Sequence, residues 1–174
     1  MPASVKGAVE LRKALRKFSP DLAKELPKDV AAALKPITKA AKGYLPDDGD
    51  VLSGWLPREN SQARFPTYSA RLVKSGIGYK TTPSKPNRRG FRSLARVFNK
   101  TAAGAIYETM GRKTPQSRFV QNQQGKYSSP MKGDGKMQGR ALFRAYDENN
   151  GKAREAVLKA IKSAADKLNA RARG

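Results

Sequence analysis

The sequence predicts an α+β fold: a small antiparallel sheet flanked by N-terminal and C-terminal amphipathic helices, with long basic loops. Three observations lead there. Apolar residues recur at helical spacing toward both ends, at Leu22, Leu26, Val30, Leu34, Ile37 and Ala41 and again at Val157, Ile161, Ala164 and Leu168. The middle, 70–109, holds short apolar stretches with β-branched and aromatic residues. Two further stretches, 80–92 and 110–139, are polar and poor in apolar side chains. At 174 residues the chain is expected to form one domain with a real core.

In chain order, residues 5–18 read as a helix with Ala8, Leu11, Leu15 and Phe18 on one stripe. Ser19 is placed to cap the next helix, 20–45, and Pro20 to occupy its first position. Pro27 and Pro36 lie inside that second helix and predict a kink or a restart, since each removes a backbone donor. Leu45-Pro46-Asp47-Asp48-Gly49-Asp50 reads as a turn. Residues 51–69 are ambiguous; their Trp55, the only tryptophan, reads as a core anchor or a subunit contact. Strands are expected in Ala70 to Tyr79, Phe91 to Asn99 and Ala103 to Thr109, with 80–92 as a long hairpin arm, mobile until a partner binds. Residues 110–139 read as an extended polar loop that orders in an assembly. Residues 140–172 close the chain with helix: Leu142, Phe143 and Tyr146 cluster first, Asn149-Asn150-Gly151 loosens the chain, and the second stripe follows with Leu158 and Ala165 beside it.

Charge narrows the function classes. Thirty-six Lys and Arg against 14 Asp and Glu give +22, which points to an anionic environment and exceeds what solubility asks of a surface. Residues 60–133 hold fifteen of the bases and a single acid, Glu108. The arm contributes Lys80, Lys85, Arg88, Arg89 and Arg92, with Arg96, Arg112 and Lys113 beyond it, and these eight are the candidate DNA- or partner-contacting residues. No zinc-finger spacing, helix-turn-helix or RNP-type aromatic motif is evident, so any DNA contact is expected to be sequence-independent and steeply salt-dependent. Trp55, Phe91, Tyr107, Phe143 and Tyr146 are the candidate subunit or core anchors.

The chemistry of a catalyst is hard to find. The chain has no cysteine and no histidine, which removes disulfides, thiol chemistry, cysteine-bound zinc and the commonest general base. Asp47-Asp48-Gly49-Asp50 is the densest acid cluster, but a calcium loop spreads its ligands over about twelve residues. Asp147-Glu148 offers a nuclease-like carboxylate pair, yet reads better as the start of a helix turn. Gly76-Ile77-Gly78 lacks the third glycine of a nucleotide loop. The expectation is a protein that is not an enzyme and needs no cofactor or metal. No apolar run approaches the roughly 18–20 residues of a membrane span, and Met1-Pro2-Ala3-Ser4-Val5-Lys6-Gly7 lacks a secretory core, so the chain is expected to be intracellular when made.

The order of the parts resembles a known family. Leu11-Arg12-Lys13-Ala14-Leu15-Arg16-Lys17 precedes a long Ala-rich helix with Lys35-Pro36-Ile37 and Ala40-Ala41-Lys42, then Leu52-Ser53-Gly54-Trp55-Leu56. Ala105-Ile106-Tyr107-Glu108-Thr109-Met110-Gly111-Arg112 follows, then Gly139-Arg140-Ala141-Leu142-Phe143-Arg144-Ala145 and a terminal helix. This is similar to the tail-completion, or neck, proteins of long-tailed bacteriophages. Met110 stands where an aromatic residue is usual, and 80–92 and 112–139 are longer and more basic than the pattern. The resemblance implies a structural virion protein. It would form a cyclic homo-oligomer, a hexamer, that joins head connector to tail tube. Its partners would be further copies of itself, those neighbouring proteins and the double-stranded DNA passing through the lumen, with no membrane. The rivals are a sequence-independent nucleic-acid-binding protein, a tail-tube terminator and a basic nuclease.

Overall fold

The computed structural model describes residues 7–48, 68–116, 118–121 and 126–173. Its class is α+β, dominated by helix: α1 (Ala8–Phe18), α2 (Pro20–Gly43), α3 (Ala70–Gly76), β1 (Ile77–Lys80), β2 (Arg96–Asn99), α4 (Ala102–Thr109), α5 (Arg118–Gln121) and α6 (Leu142–Arg173). The two strands pair antiparallel as a hairpin whose connection is the basic arm.

The long helices follow their apolar stripes. In α2 the buried line is Leu22, Leu26, Val30, Leu34, Ile37 and Ala41, as the spacing requires. The helix is continuous through Pro27 and Pro36, so neither proline restarts it. Helix α6 likewise runs unbroken through Asn149, Asn150 and Gly151, and its 32 residues span about 48 Å. Its most buried positions after that point are Ala153, Ala160 and Ala164, with Val157, Ile161 and Leu168 half-buried beside them and Leu158 exposed. The stripe of α1 is rotated from the expected one. Ala8, Arg12, Leu15 and the following Ser19 are buried, while Phe18 is 68% exposed.

The sheet is smaller than expected. Ala70–Gly76 is a helix, capped by the Ser69 hydroxyl, which accepts the Leu72 N–H; Ala70, Val73 and Gly76 form its buried face. Ala102–Thr109 is also a helix, capped by Thr101 Oγ1, which accepts the Gly104 N–H. The expected strand over Phe91 to Asn99 shrinks to its last four residues. Short apolar runs satisfy either period, and here the capping residues and the i, i+3 burial decide for helix.

The chain divides into two compact units. The first takes Met1–Pro36, Tyr79–Arg96 and Asn150–Gly174. In it the start of α2 and the end of α6 run antiparallel. Lys167 pairs with Glu25, Arg171 pairs with Asp21 at 2.7 Å, and Leu22 and Leu26 face Ala164. The second takes Ile37–Gly78 and Val97–Asn149. It packs α3 tightly on the start of α4: a Cβ at Gly76 would lie 2.5 Å from Thr101 Cγ2. The polar stretch 110–139 is not featureless. It holds α5 and an isolated antiparallel bridge between Met131 and Met137.

Candidate functional site

The arm is a folded hairpin. At its tip Gly90 N–H donates to Asn87 O and Asn87 N–H to Phe91 O, both at 2.9 Å. The Asn87 side-chain oxygen accepts the N–H groups of Arg89 and Phe91, each at 2.9 Å. Gly90 has φ +72, the left-handed conformation this turn needs, so glycine is required there by conformation and not by space. Lower down, Ser84 and Ser93 bond each other through N–H to carbonyl and N–H to hydroxyl, at 2.9 and 3.0 Å. Pro83 and Pro86 restrict the backbone of the ascending limb. At the root, the buried Arg12 guanidinium donates to Thr81 O, and burial holds its pKa below the usual arginine value.

This scaffold carries cations outward. Lys80, Lys85, Arg88, Arg89, Arg92 and Arg96 are all exposed. Among the described residues Lys85, Arg88, Arg89, Arg92 and Arg96 make no ion pair. The structure therefore brings five of the eight candidate contact residues onto one arm, with Arg96 at the start of β2. Arg112 and Lys113, also exposed, sit in the second unit, in the turn after α4.

The second unit is organised around Glu108, the lone acid of the basic middle. It is buried, and its carboxylate accepts the N–H groups of Ala141, Leu142 and Phe143 at 2.9, 3.2 and 2.7 Å. Helix α6 has no acid in its own first turn, so Glu108 supplies the cap and the charge that its N-terminus favours. Gly139, at φ +57, gives Glu108 its room: a Cβ there would run into the carboxylate and lie 2.6 Å from Phe143 Cβ. Beside it the buried Arg140 donates to Tyr107 O at 2.7 Å and to Ser128 O through two nitrogens, at 3.0 and 2.8 Å. Gln138 donates to Lys126 O and Ser129 O. The loop 126–139 is thus held by side chains of its own descending end.

A second cluster lies one turn further along α6. The Arg144 guanidinium stands 3.7 Å from the Tyr44 ring and 4.2 Å from the Tyr127 ring. Glu148 accepts from Arg144 at 3.1 Å, from Tyr127 at 3.0 Å and from Tyr44. The Tyr44 hydrogen bond, foremost, draws the Glu148 carboxyl below its ordinary range, and the same bond pushes the Tyr44 phenol up.

The other acids are used in the same way. Asp147 pairs with Lys132 at 3.0 Å, so Asp147 and Glu148 serve separate contacts inside α6 and do not start a helix turn. Asp48 accepts the Ala70 N–H at 2.6 Å, and Asp47 pairs with Lys74. Among the described residues no group of three or more potential metal ligands stands together. A cavity of about 170 Å³, lined by Leu45, Ile77, Gly104, Glu108, Leu142 and Phe143 among others, is smaller than the roughly 300–1,000 Å³ typical of small-molecule sites.

Of the candidate anchors, Tyr107 is core, its ring centroid 6.3 Å from that of Tyr68, and burial raises the pKa of both phenols. Phe91 is half-buried on the arm, and Phe143 and Tyr146 are exposed, at 46% and 37%. Trp55 lies outside the described residues, as does the 52–56 segment around it. Sequence reasoning did not assign roles to Glu108, Arg140, Arg144 or Asn87. The signal for Glu108 was its isolation among fifteen bases.

Among the described residues no helix is long and apolar enough to cross a membrane. Compared with models of protein families, with curated proteins and with solved structures, the chain matches none.

Proposed function

We propose that this chain is a structural, non-catalytic joint protein of a long-tailed bacteriophage neck. Copies of it close into a ring, six in the form the resemblance implies, that joins the head connector to the tail tube and lets the genome pass. The observation that carries this reading is the Glu108 joint. The two segments on which the resemblance rests, Tyr107-Glu108-Thr109-Met110-Gly111 and Gly139-Arg140-Ala141-Leu142-Phe143, meet through the Glu108 carboxylate across 33 residues and through Arg140. A pattern that pairs in space as one unit is better support than a pattern of order alone.

General physics supports a ring. Head-to-tail contacts between identical copies close when their rotation closes, and exposed Phe143 and Tyr146 supply apolar surface for such a contact. The test is electron microscopy of an infected lysate in which this gene alone is silenced. Separate DNA-filled heads and finished tails are the expected result. Overlong tails would instead make the protein a terminator of the tail tube, and normal infectious particles would overturn the neck reading.

A further inference from the structure

We infer that the hairpin arm is a prefolded, sequence-independent clip for the phosphate backbone of duplex DNA, with Arg88 and Arg89 at the tip making the contacts and Lys85 and Arg92 flanking them. The inference goes beyond the neck reading and does not depend on it, because it stands on the first unit alone.

Four features favour this ligand. Arginine dominates the exposed cations, and its planar fork matches phosphate oxygens. The tip is ordered before any partner arrives: Asn87 takes up the N–H groups of Arg89 and Phe91, and Arg12 pins the root at Thr81. The Asn87 side-chain oxygen is taken up by its own turn and the tip carries no carboxylate, so the two arginines are its exposed charged groups. Finally, the tip has no exposed aromatic or aliphatic anchor. Phe91 is half-buried, so neither the stacking platform of a single-strand binder nor the apolar centre of a protein interface is present there. What remains is a set of guanidinium and ammonium groups on a stiff support, which suits a uniform row of phosphates.

The experiment is fluorescence anisotropy with the full chain and two short duplexes of unrelated sequence, titrated at several salt concentrations. Equal affinity for the two duplexes is expected. Four phosphate contacts give a log–log salt slope near about −3.6, or roughly a 100-fold loss of affinity between about 50 and 200 mM salt. The double variant Arg88→Gln, Arg89→Gln should flatten the slope by about 1.8 while leaving thermal unfolding unchanged, because both side chains are exposed. Asn87→Ala keeps every charge but loosens the turn, and should weaken binding about fivefold with the slope intact. That second result separates a built clip from generic attraction to a basic surface.

An unchanged slope in the double variant would overturn the proposal and move DNA binding elsewhere on the surface. Preference for single-stranded DNA, or for polyglutamate over duplex, would overturn it in favour of stacking or of an acidic protein. A chain that restores head–tail joining in infection but binds no duplex defeats this inference alone. A chain that binds duplex through the arm while its loss leaves particles normal defeats the neck reading alone.

Discussion

The first unit carries 21 Lys and Arg against 6 Asp and Glu, net +15, whereas the second carries 15 against 8, net +7. The two units use their charges differently. In the second, every acid among the described residues has a partner that shapes the fold: Glu108 caps α6, Asp48 bonds the first residue of α3, Glu148 gathers Tyr44, Tyr127 and Arg144, and Asp47, Asp134 and Asp147 each hold a lysine. In the first, the packing of Leu and Ala stripes is supplemented by two exposed pairs, Asp21 with Arg171 and Glu25 with Lys167, whose attraction solvent screens. On the arm, Lys85, Arg88, Arg89 and Arg92 make no ion pair among the described residues. Charge that the fold does not use is the charge to assign to a partner, and it sits in the first unit.

The largest test of this contrast is Glu108→Ala. It strips three N–H groups of their acceptor at a buried helix start, and should cost about 3 kcal/mol in denaturant unfolding. Hydrogen exchange should speed up at Ala141 to Phe143 and leave the arm's amides unchanged. Equal acceleration at Arg89 and Phe91 would break the distinction between the units. Next, Arg144→Met keeps the side-chain volume near the two tyrosines but loses the cation and its bond to Glu148, and should cost about 1–2 kcal/mol by the same measurement.

Salt should act in the opposite sense on fold and on binding. Screening of a +22 chain relieves self-repulsion, so raising sodium chloride from about 0.05 to 0.5 M should raise the melting temperature by a few degrees while weakening any anionic partner. A melting temperature that falls with salt would mean that ion pairs, and not repulsion, dominate the first unit. The smallest effect is acidic. The Arg171 hydrogen bond lowers the exposed Asp21 carboxyl from 3.8 to about 2. Its folded pKa lies below its unfolded one, so the pair's contribution is present above about pH 4 and is lost as the pH falls toward 2. Asp21→Asn should remove this small contribution at neutral pH and change stability least near pH 2, where the carboxyl is already protonated, so that the acid limb of the stability profile becomes slightly flatter.

The long elements were legible because their signal is redundant. Six apolar positions in α2 agree on one face, which outweighs two prolines. Helix α1 gave a partial answer. Its four-residue stripe fits more than one rotation, and the core took Arg12, whose guanidinium reaches Thr81, in place of Phe18. Helices α3 and α4 were misread because Leu72 and Val73, or Ile106 and Tyr107, suit a strand as well as a helix over seven or eight residues, whereas Ile77 to Tyr79 is strand as expected. Ser69 and Thr101, each three residues before the N–H it caps, were the available signs. The arm's position and charge were readable, but its order was not, because that depends on where one asparagine side chain turns. Glu108 was visible only as an oddity of composition. Its partner N–H groups lie 33 to 35 residues away, a distance at which sequence carries no geometric information.

That distance has a consequence for how this chain can change. Glu108 and Arg140 clasp the two ends of the intervening stretch, so the length of its exposed turn, 112–116, enters stability mainly through the entropy of closing a loop. Each doubling of such a loop costs about 0.6 kcal/mol, far less than the clasp supplies. Residues inserted between Arg112 and Gln116, all exposed, would leave the closure in place. The exposed turn 112–116 is therefore free to lengthen to suit a neighbour, while the frame at its base stays the same.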